Sequence, residues 1–220
     1  MNPIAILFDF DGTLIDSSGD IIDSLKLAYI SSGHKDKLEI PLSLLGPPVS
    51  EMIKHLTPHL DKKLCETINA NFREIYDNSL YPKTFLYEGV LDFLAQCLQN
   101  KITLFVVTNK MKLATQRILS ILKIEDFFKD VITPDHVSGK RMNKNEMVEY
   151  AIKMNFLQNK AAILVGDSVS DIEAAHLNGI ESIGFFSGFG NAQELSGANP
   201  TYTAKSFNDI DQIVSKMINI

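Results

Sequence analysis

Apolar residues along the chain fall into two patterns. Short continuous runs occur at Ile4 to Phe8, Ile102 to Val107, Ala161 to Val165 and Ile180 to Gly184. An unbroken apolar run of this length suits a strand buried on both faces, because a half-exposed strand would alternate with polar residues. Asp130-Val131-Ile132 and Thr201-Tyr202-Thr203 are shorter strand candidates. Between these runs the apolar residues follow a helical period, as at Val90, Leu91, Leu94, Cys97 and Leu98, and again at Leu113, Ile118, Leu119 and Leu122. Strands alternating with amphipathic helices predict an α/β fold, a doubly wound parallel sheet with right-handed crossovers and a Rossmann-like core.

One long stretch breaks the alternation. From Ile15 to Tyr87 the apolar positions keep a helical period and no run reads as a strand. Ile21, Ile22, Leu25, Ala28 and Tyr29 make one stripe, Val49, Met52, Ile53 and Leu56 a second, and Leu64, Ile68, Phe72 and Ile75 a third. The expected organisation is a catalytic core of residues 1–14 and 88–220 with a small all-helical cap, residues 15–87, inserted after the first strand. Leu14 to Ser18 and Pro82 to Gly89 are the expected hinges.

Composition narrows the class. At 220 residues, 45% hydrophobic and 22% charged, the chain has enough apolar material for one sizeable core. No apolar run approaches the roughly 20 residues that cross a bilayer, so no membrane association is expected. Met1-Asn2-Pro3-Ile4 lacks the basic start of a secretory signal, and Cys65 and Cys97 have no metal-type spacing. Both features suit a cytoplasmic protein with reduced thiols. A net charge of −6 argues against nucleic acid as a partner, since phosphate backbones call for a basic face. Small phosphorylated metabolites remain compatible, because a few lysines and one metal ion can hold them locally.

Candidate chemistry lies just beyond the strands, where open α/β sheets bind ligands. The first strand is followed by Asp9-Phe10-Asp11-Gly12-Thr13, the second by Thr108-Asn109-Lys110, and the run ending at Val165 by Gly166-Asp167-Ser168-Val169-Ser170-Asp171. Four carboxylates would converge on one sheet edge, where they repel unless a cation sits among them. Oxygen donors without cysteine or histidine favour a hard ion, and magnesium is the natural choice.

Taken together and in this order, these segments and a later lysine resemble the four signature motifs of the haloacid dehalogenase superfamily. Leu45-Gly46-Pro47-Pro48, Tyr87-Glu88-Gly89-Val90 and Asn178 through Gly190 resemble most its phosphoglycolate-phosphatase-like branch and the related nucleotidases. The resemblance implies a magnesium-dependent phosphatase acting on a small phosphomonoester. It makes Asp9 the nucleophile that becomes an aspartyl phosphate, and Asp11 the general acid and base. The metal is then held by the Asp9 side chain, the Asp11 carbonyl and Asp167, with Asp171 supporting in the outer sphere. Phe10, Asp11, Thr108, Asn109 and the motif lysine make the implied phosphate-binding set, with Thr108 and the lysine also counted as catalytic. Lys144 is favoured over Lys140 for that lysine, because Asn143 and Glu146 form a capping pair that places Lys144 in the first turn of a helix. In the cap, Gly46 and Pro47 are the residues expected to face the substrate.

Each segment also has a plain structural reading. Asp-Gly after a strand is a common turn, and Asp167, Ser168 or Asp171 could serve only to open a helix. Arg73 and Lys54 read as solvated helix positions. Two other functions use the same fold. A phosphosugar mutase would share Asp9 and Asp11, but usually shows a histidine in the first cap segment, and Asp16 to Leu27 has none. A non-catalytic binding protein would typically lack a nucleophile or metal ligand, and none is missing.

Overall fold

The computed structural model describes residues 4–35, 37–155, 157 and 161–218. Six strands form one parallel sheet: β1 (Ile4–Phe8), β4 (Thr103–Val107), β5 (Asp130–Ile132), β6 (Ala161–Gly166), β7 (Glu181–Phe185) and β8 (Tyr202–Ala204), in the order β5-β4-β1-β6-β7-β8. Strand order reverses at β1, which pairs with β4 on one side and β6 on the other. The two short candidate strands are therefore real, each adding three residues at an edge of the sheet.

The continuous apolar character of β1 follows from burial on both faces. Ile6 and Phe8 belong to the cluster formed with α4 (Val90–Gln99) and α9 (Phe207–Ile218), where Phe93 meets the Phe8 ring edge-on and Phe207 stacks on it. Ala5 and Leu7 point to the opposite layer, against Met147 and Val148 of α6 (Lys144–Met154) and Ala174 and Ala175 of α7 (Val169–Leu177). α5 (Lys112–Ile121) and the short α8 (Ala192–Gly197) complete the core. Phe207, Ile210 and Val214 of α9 are buried at helical spacing, a stripe that the strand-centred reading passed over.

The inserted stretch is helical, with α1 (Ser18–Ser31), α2 (Val49–Leu56) and α3 (Lys62–Asp77). All three helices place buried apolar residues in one cluster, among them Leu25, Ala28, Met52, Ile53, Ile68 and Phe72. Asp61 caps α3 by accepting the Leu64 N–H at 2.8 Å.

The expectation of no strand in this stretch needs correction. β2 (Ile15–Asp16) and β3 (Phe85–Leu86) pair antiparallel at its two ends. The ribbon is two residues long, so no periodicity could register. Its physical role is to tie the outgoing and returning chain together. Tyr87 N–H donates to the Leu14 carbonyl at 3.1 Å, and the Asp20 carboxylate accepts both Lys83 N–H and the Thr84 hydroxyl.

Candidate active site

Asp9, Thr108 and Asp167 each follow a neighbouring strand of the sheet centre, β1, β4 and β6, so their side chains meet at one edge. Beyond Asp9 the chain turns at once: Leu14 and Ile15 N–H donate to the Phe10 carbonyl, and Gly12 sits at φ +82°. Glycine is required there twice over, by its left-handed backbone and because a Cβ would come 2.3 Å from an Asp167 oxygen.

The floor of the site is a cluster of three buried carboxylates. Ligand oxygens of Asp9, Asp167 and Asp171 lie within 4.8 Å of one another. Lys144 stands among them, with Nζ donating to Asp9 Oδ1 at 2.8 Å and the Val107 carbonyl at 2.9 Å, and lying 2.8 Å from Asp171 Oδ1. Lys144 reaches this point because Asn143 and Glu146 close a capping box that opens α6 here. Lys140, by contrast, pairs with Glu146 on the surface.

Asp167 is fixed by a loop distant in sequence. Its Oδ2 accepts the backbone N–H groups of Phe189 at 2.7 Å and Gly190 at 3.1 Å, and Oδ1 accepts the Thr13 hydroxyl at 3.3 Å. Asp171 does two jobs. One oxygen closes the capping box of α7 by accepting Ser168 N–H and Oγ–H, and the other faces Lys144. Asp171 thus opens the helix, as its plain reading has it, and also stands in the carboxylate cluster.

Electrostatics show a shortage of positive charge. Burial pushes Asp9 up to about 8, with Asp171 and Asp167 adding to the rise and Lys144 pulling against it. Asp167 is pushed up to about 7 by burial first and then by Asp171, against the N–H groups of Phe189 and Gly190. Burial alone would lower the Lys144 ammonium, but Asp171 and Asp9 hold it above its ordinary value. Among the described residues, the four carboxylates, including Asp11, meet only Lys144 and Lys110 as ion-pair partners, so with all four ionised two negative charges would be left over. A divalent cation bound by oxygen fits both the deficit and the donor set, and Asp9, Asp167 and Asp171 are the side chains that could hold it.

Residues singled out from sequence are brought together in large part. Asp9, Asp11, Thr108, Asn109, Gly46 and Pro47 line one cleft, with Arg73, Phe72, Tyr76 and Lys110 on its walls. Thr108 Oγ accepts the Lys110 N–H at 3.1 Å, which leaves its hydroxyl proton free to donate. The Phe10 side chain is buried in the core, so only its backbone is available to a ligand.

Three features had not been assigned from sequence. Lys110 Nζ grips both Asp11 oxygens at 2.8 and 2.9 Å and lies 4.7 Å from the centre of the Tyr76 ring. The Ser17 hydroxyl also donates to Asp11. The Phe189 and Gly190 amides hold Asp167. Only Lys110, as a cation three residues past a strand end, left a readable trace.

A parallel α/β core under a helical cap, with carboxylates gathered at the strands' carboxyl ends, defines a capped enzyme built to handle a charged group. The model of the haloacid dehalogenase-like hydrolase family matches residues 6–185, and the chain belongs to that family. It is similar to the phosphoglycolate phosphatase of Photobacterium profundum, 28% identical over 95% of this chain and 94% of that one. It is also similar to a 5'-nucleotidase of Pseudomonas aeruginosa, 25% identical over 95% and 94%. The crystal structure of a predicted phosphatase from Clostridium acetobutylicum superposes with a TM-score of 0.81, at 26% identity and 100% of both chains. The family is one of hydrolases, and the phosphoglycolate phosphatase and the 5'-nucleotidase are both named for removing phosphate. No helix among the described residues is long and apolar enough to cross a membrane.

Proposed function

We propose that the protein is a magnesium-dependent phosphatase that hydrolyses a small phosphomonoester, phosphoglycolate-like or a nucleoside monophosphate, through an aspartyl phosphate on Asp9. The observation that carries this reading is the buried trio Asp9, Asp167 and Asp171, with Lys144 paired to Asp9 and Asp171. Asp9 attacks phosphorus in line, and the ester oxygen leaves opposite. Lys144 screens the nucleophile from the phosphoryl charge while keeping Asp9 aimed. Thr108 and Asn109 donate hydrogen bonds to phosphoryl oxygens. Asp11 protonates the leaving oxygen and later takes a proton from the water that cleaves the acyl phosphate. Asp167, Asp9 and the Asp11 carbonyl would hold magnesium, with Asp171 behind them. Bound there, the ion offsets the repulsion between nucleophile and phosphate.

The cap, which we place at residues 15–87, bears on the leaving group through Gly46 and Pro47, and the setting is the cytoplasm. The deciding experiment is phosphate release from a panel of metabolite phosphomonoesters with and without magnesium. Release that is magnesium-dependent, lost in Asp9→Asn and unaccompanied by phosphosugar interconversion supports the reading. Interconversion without phosphate release would replace it with a mutase.

A further inference from the structure

Two cations, Lys110 and Arg73, line the walls of the cleft above Lys144, and they differ in how their charge is met. Lys110 is neutralised by the bidentate pair with Asp11. Arg73 of α3 lines the same cleft, and among the described residues no carboxylate lies within ion-pair distance of its guanidinium. The guanidinium lies over the Phe72 ring, 5.9 Å from its centre. Asp77 and Asp135 act on Arg73 only from a distance, and Arg141 opposes them. The side chain is half-buried, and that burial pulls its ionisation below the ordinary arginine value. An arginine nonetheless stays charged, and it offers five donors in a planar fork. A charge taken partly out of water without a partner is costly, and a ligand that brings an anion to it recovers the cost.

The geometry of the cleft says where that anion would be. Asp9, Thr108 and Asn109 define the phosphoryl end on the core side, while Arg73 belongs to the cap. The negative group must then be carried by the part of the substrate that leaves. A carboxylate matches the guanidinium fork with two parallel hydrogen bonds.

We infer that Arg73 is a specificity-determining residue that receives a carboxylate on the leaving group, so that the preferred substrates are small phosphorylated carboxylic acids. The inference rests on the phosphatase reading above and sharpens it.

The test is steady-state hydrolysis by the full chain with magnesium. The substrates are 2-phosphoglycolate and 3-phosphoglycerate, each beside its uncharged carboxamide, with p-nitrophenyl phosphate as the measure of basic competence. Wild type should favour at least one acid over its amide by tenfold or more in kcat/KM, chiefly through KM. Arg73→Gln should bring that ratio close to one while changing amide turnover far less, and Arg73→Lys should restore part of it. Lys54→Gln, which removes an exposed cap cation, should keep the wild-type ratio. A wild-type ratio near one overturns the assignment, and so does an unchanged ratio in Arg73→Gln or an equal loss in Lys54→Gln. The wild-type arm decides even if a variant fails to fold. Absence of any hydrolysis, p-nitrophenyl phosphate included, overturns the phosphatase reading and this inference together, whereas an active enzyme with the wrong ratios overturns this inference alone.

Discussion

The floor and the roof of the cleft are built on different principles. On the floor, Asp9, Asp167, Asp171 and Lys144 are buried at strand and helix ends, and each side chain is held by partners far away in sequence. On the roof, the cap presents an aromatic wall of Phe72 and Tyr76, a turn at Gly46 to Pro48, and one cation, Arg73, without an ion-pair partner among the described residues. A floor held in this way fixes reacting atoms within fractions of an ångström, which phosphoryl transfer requires. A roof with few polar commitments can be changed without disturbing that geometry. If, as proposed, the core carries the chemistry and the cap the selection, substitutions on the two sides should behave differently.

The largest effect belongs to the floor. Asp9→Asn keeps the shape and removes the attacking charge, so kcat should fall on the order of 10⁴-fold with any substrate. Near-normal turnover by this variant with its best substrate would break the aspartyl-phosphate mechanism.

Next comes the metal. EDTA should abolish activity, magnesium should restore it, and calcium should not, because its looser coordination misplaces nucleophile and phosphate. The same charge deficit predicts a stability profile for metal-free protein. Asp9 and Asp167 titrate near 8 and 7 when folded, above the ordinary carboxylate value of 3.8. The folded state therefore binds protons more tightly than the unfolded chain. These groups contribute stability that is full below about 4 and lost as pH rises through 7 and 8. Thermal melts in EDTA should decline between pH 6 and pH 8.5, and magnesium should flatten the decline. A flat profile in EDTA would show that the cluster does not carry excess negative charge.

Two glycines give a paired test of floor against roof. Gly12→Ala would drive a methyl into Asp167 at a left-handed backbone position, costing about 1–3 kcal/mol and most of the activity. Gly46 is also left-handed, at φ +114°, but an added Cβ meets nothing within 4 Å. Gly46→Ala should cost about 1 kcal/mol from backbone strain alone. It should leave magnesium dependence intact and shift the ranking among phosphomonoesters through KM. Equal effects of the two substitutions on kcat would erase the distinction between floor and roof.

What could be read from sequence follows the same division. The floor was legible because strand ends are marked by abrupt changes from apolar to polar, and Asp9, Thr108 and Asp167 stand directly after such changes. Lys144 was legible through the Asn143–Glu146 capping pair, a local signal that fixes where α6 begins. Contacts made across the chain left no comparable mark. Phe189 and Gly190 reach Asp167 through backbone amides, which any residue but proline possesses. Lys110 finds Asp11 across 99 positions, and Tyr76 finds Lys110 only because α3 packs over the cleft. The β2–β3 ribbon is too short for any period to emerge.

The smallest expected effect lies at Tyr76, where roof and floor touch. Its ring stacks on Phe72 at 5.1 Å, meets Tyr81 edge-on and lies under the Lys110 ammonium, while its buried hydroxyl has no hydrogen-bond partner among the described residues. The ring therefore does the packing and the hydroxyl contributes little beyond its desolvation cost. Tyr76→Phe keeps every ring contact and removes an unpaired polar group, so it should leave Tm unchanged or raised and change kcat/KM by less than about twofold. Tyr76→Leu removes the aromatic contacts and the face that Lys110 rests against, each worth about 0.5–1.5 kcal/mol. It should lower Tm and also loosen the hold on Asp11, with the activity loss greater for alkyl phosphates, which need protonation on departure, than for p-nitrophenyl phosphate. A marked loss of kcat/KM in Tyr76→Phe would mean that the hydroxyl meets the substrate, and the roof would then share in positioning as well as selection.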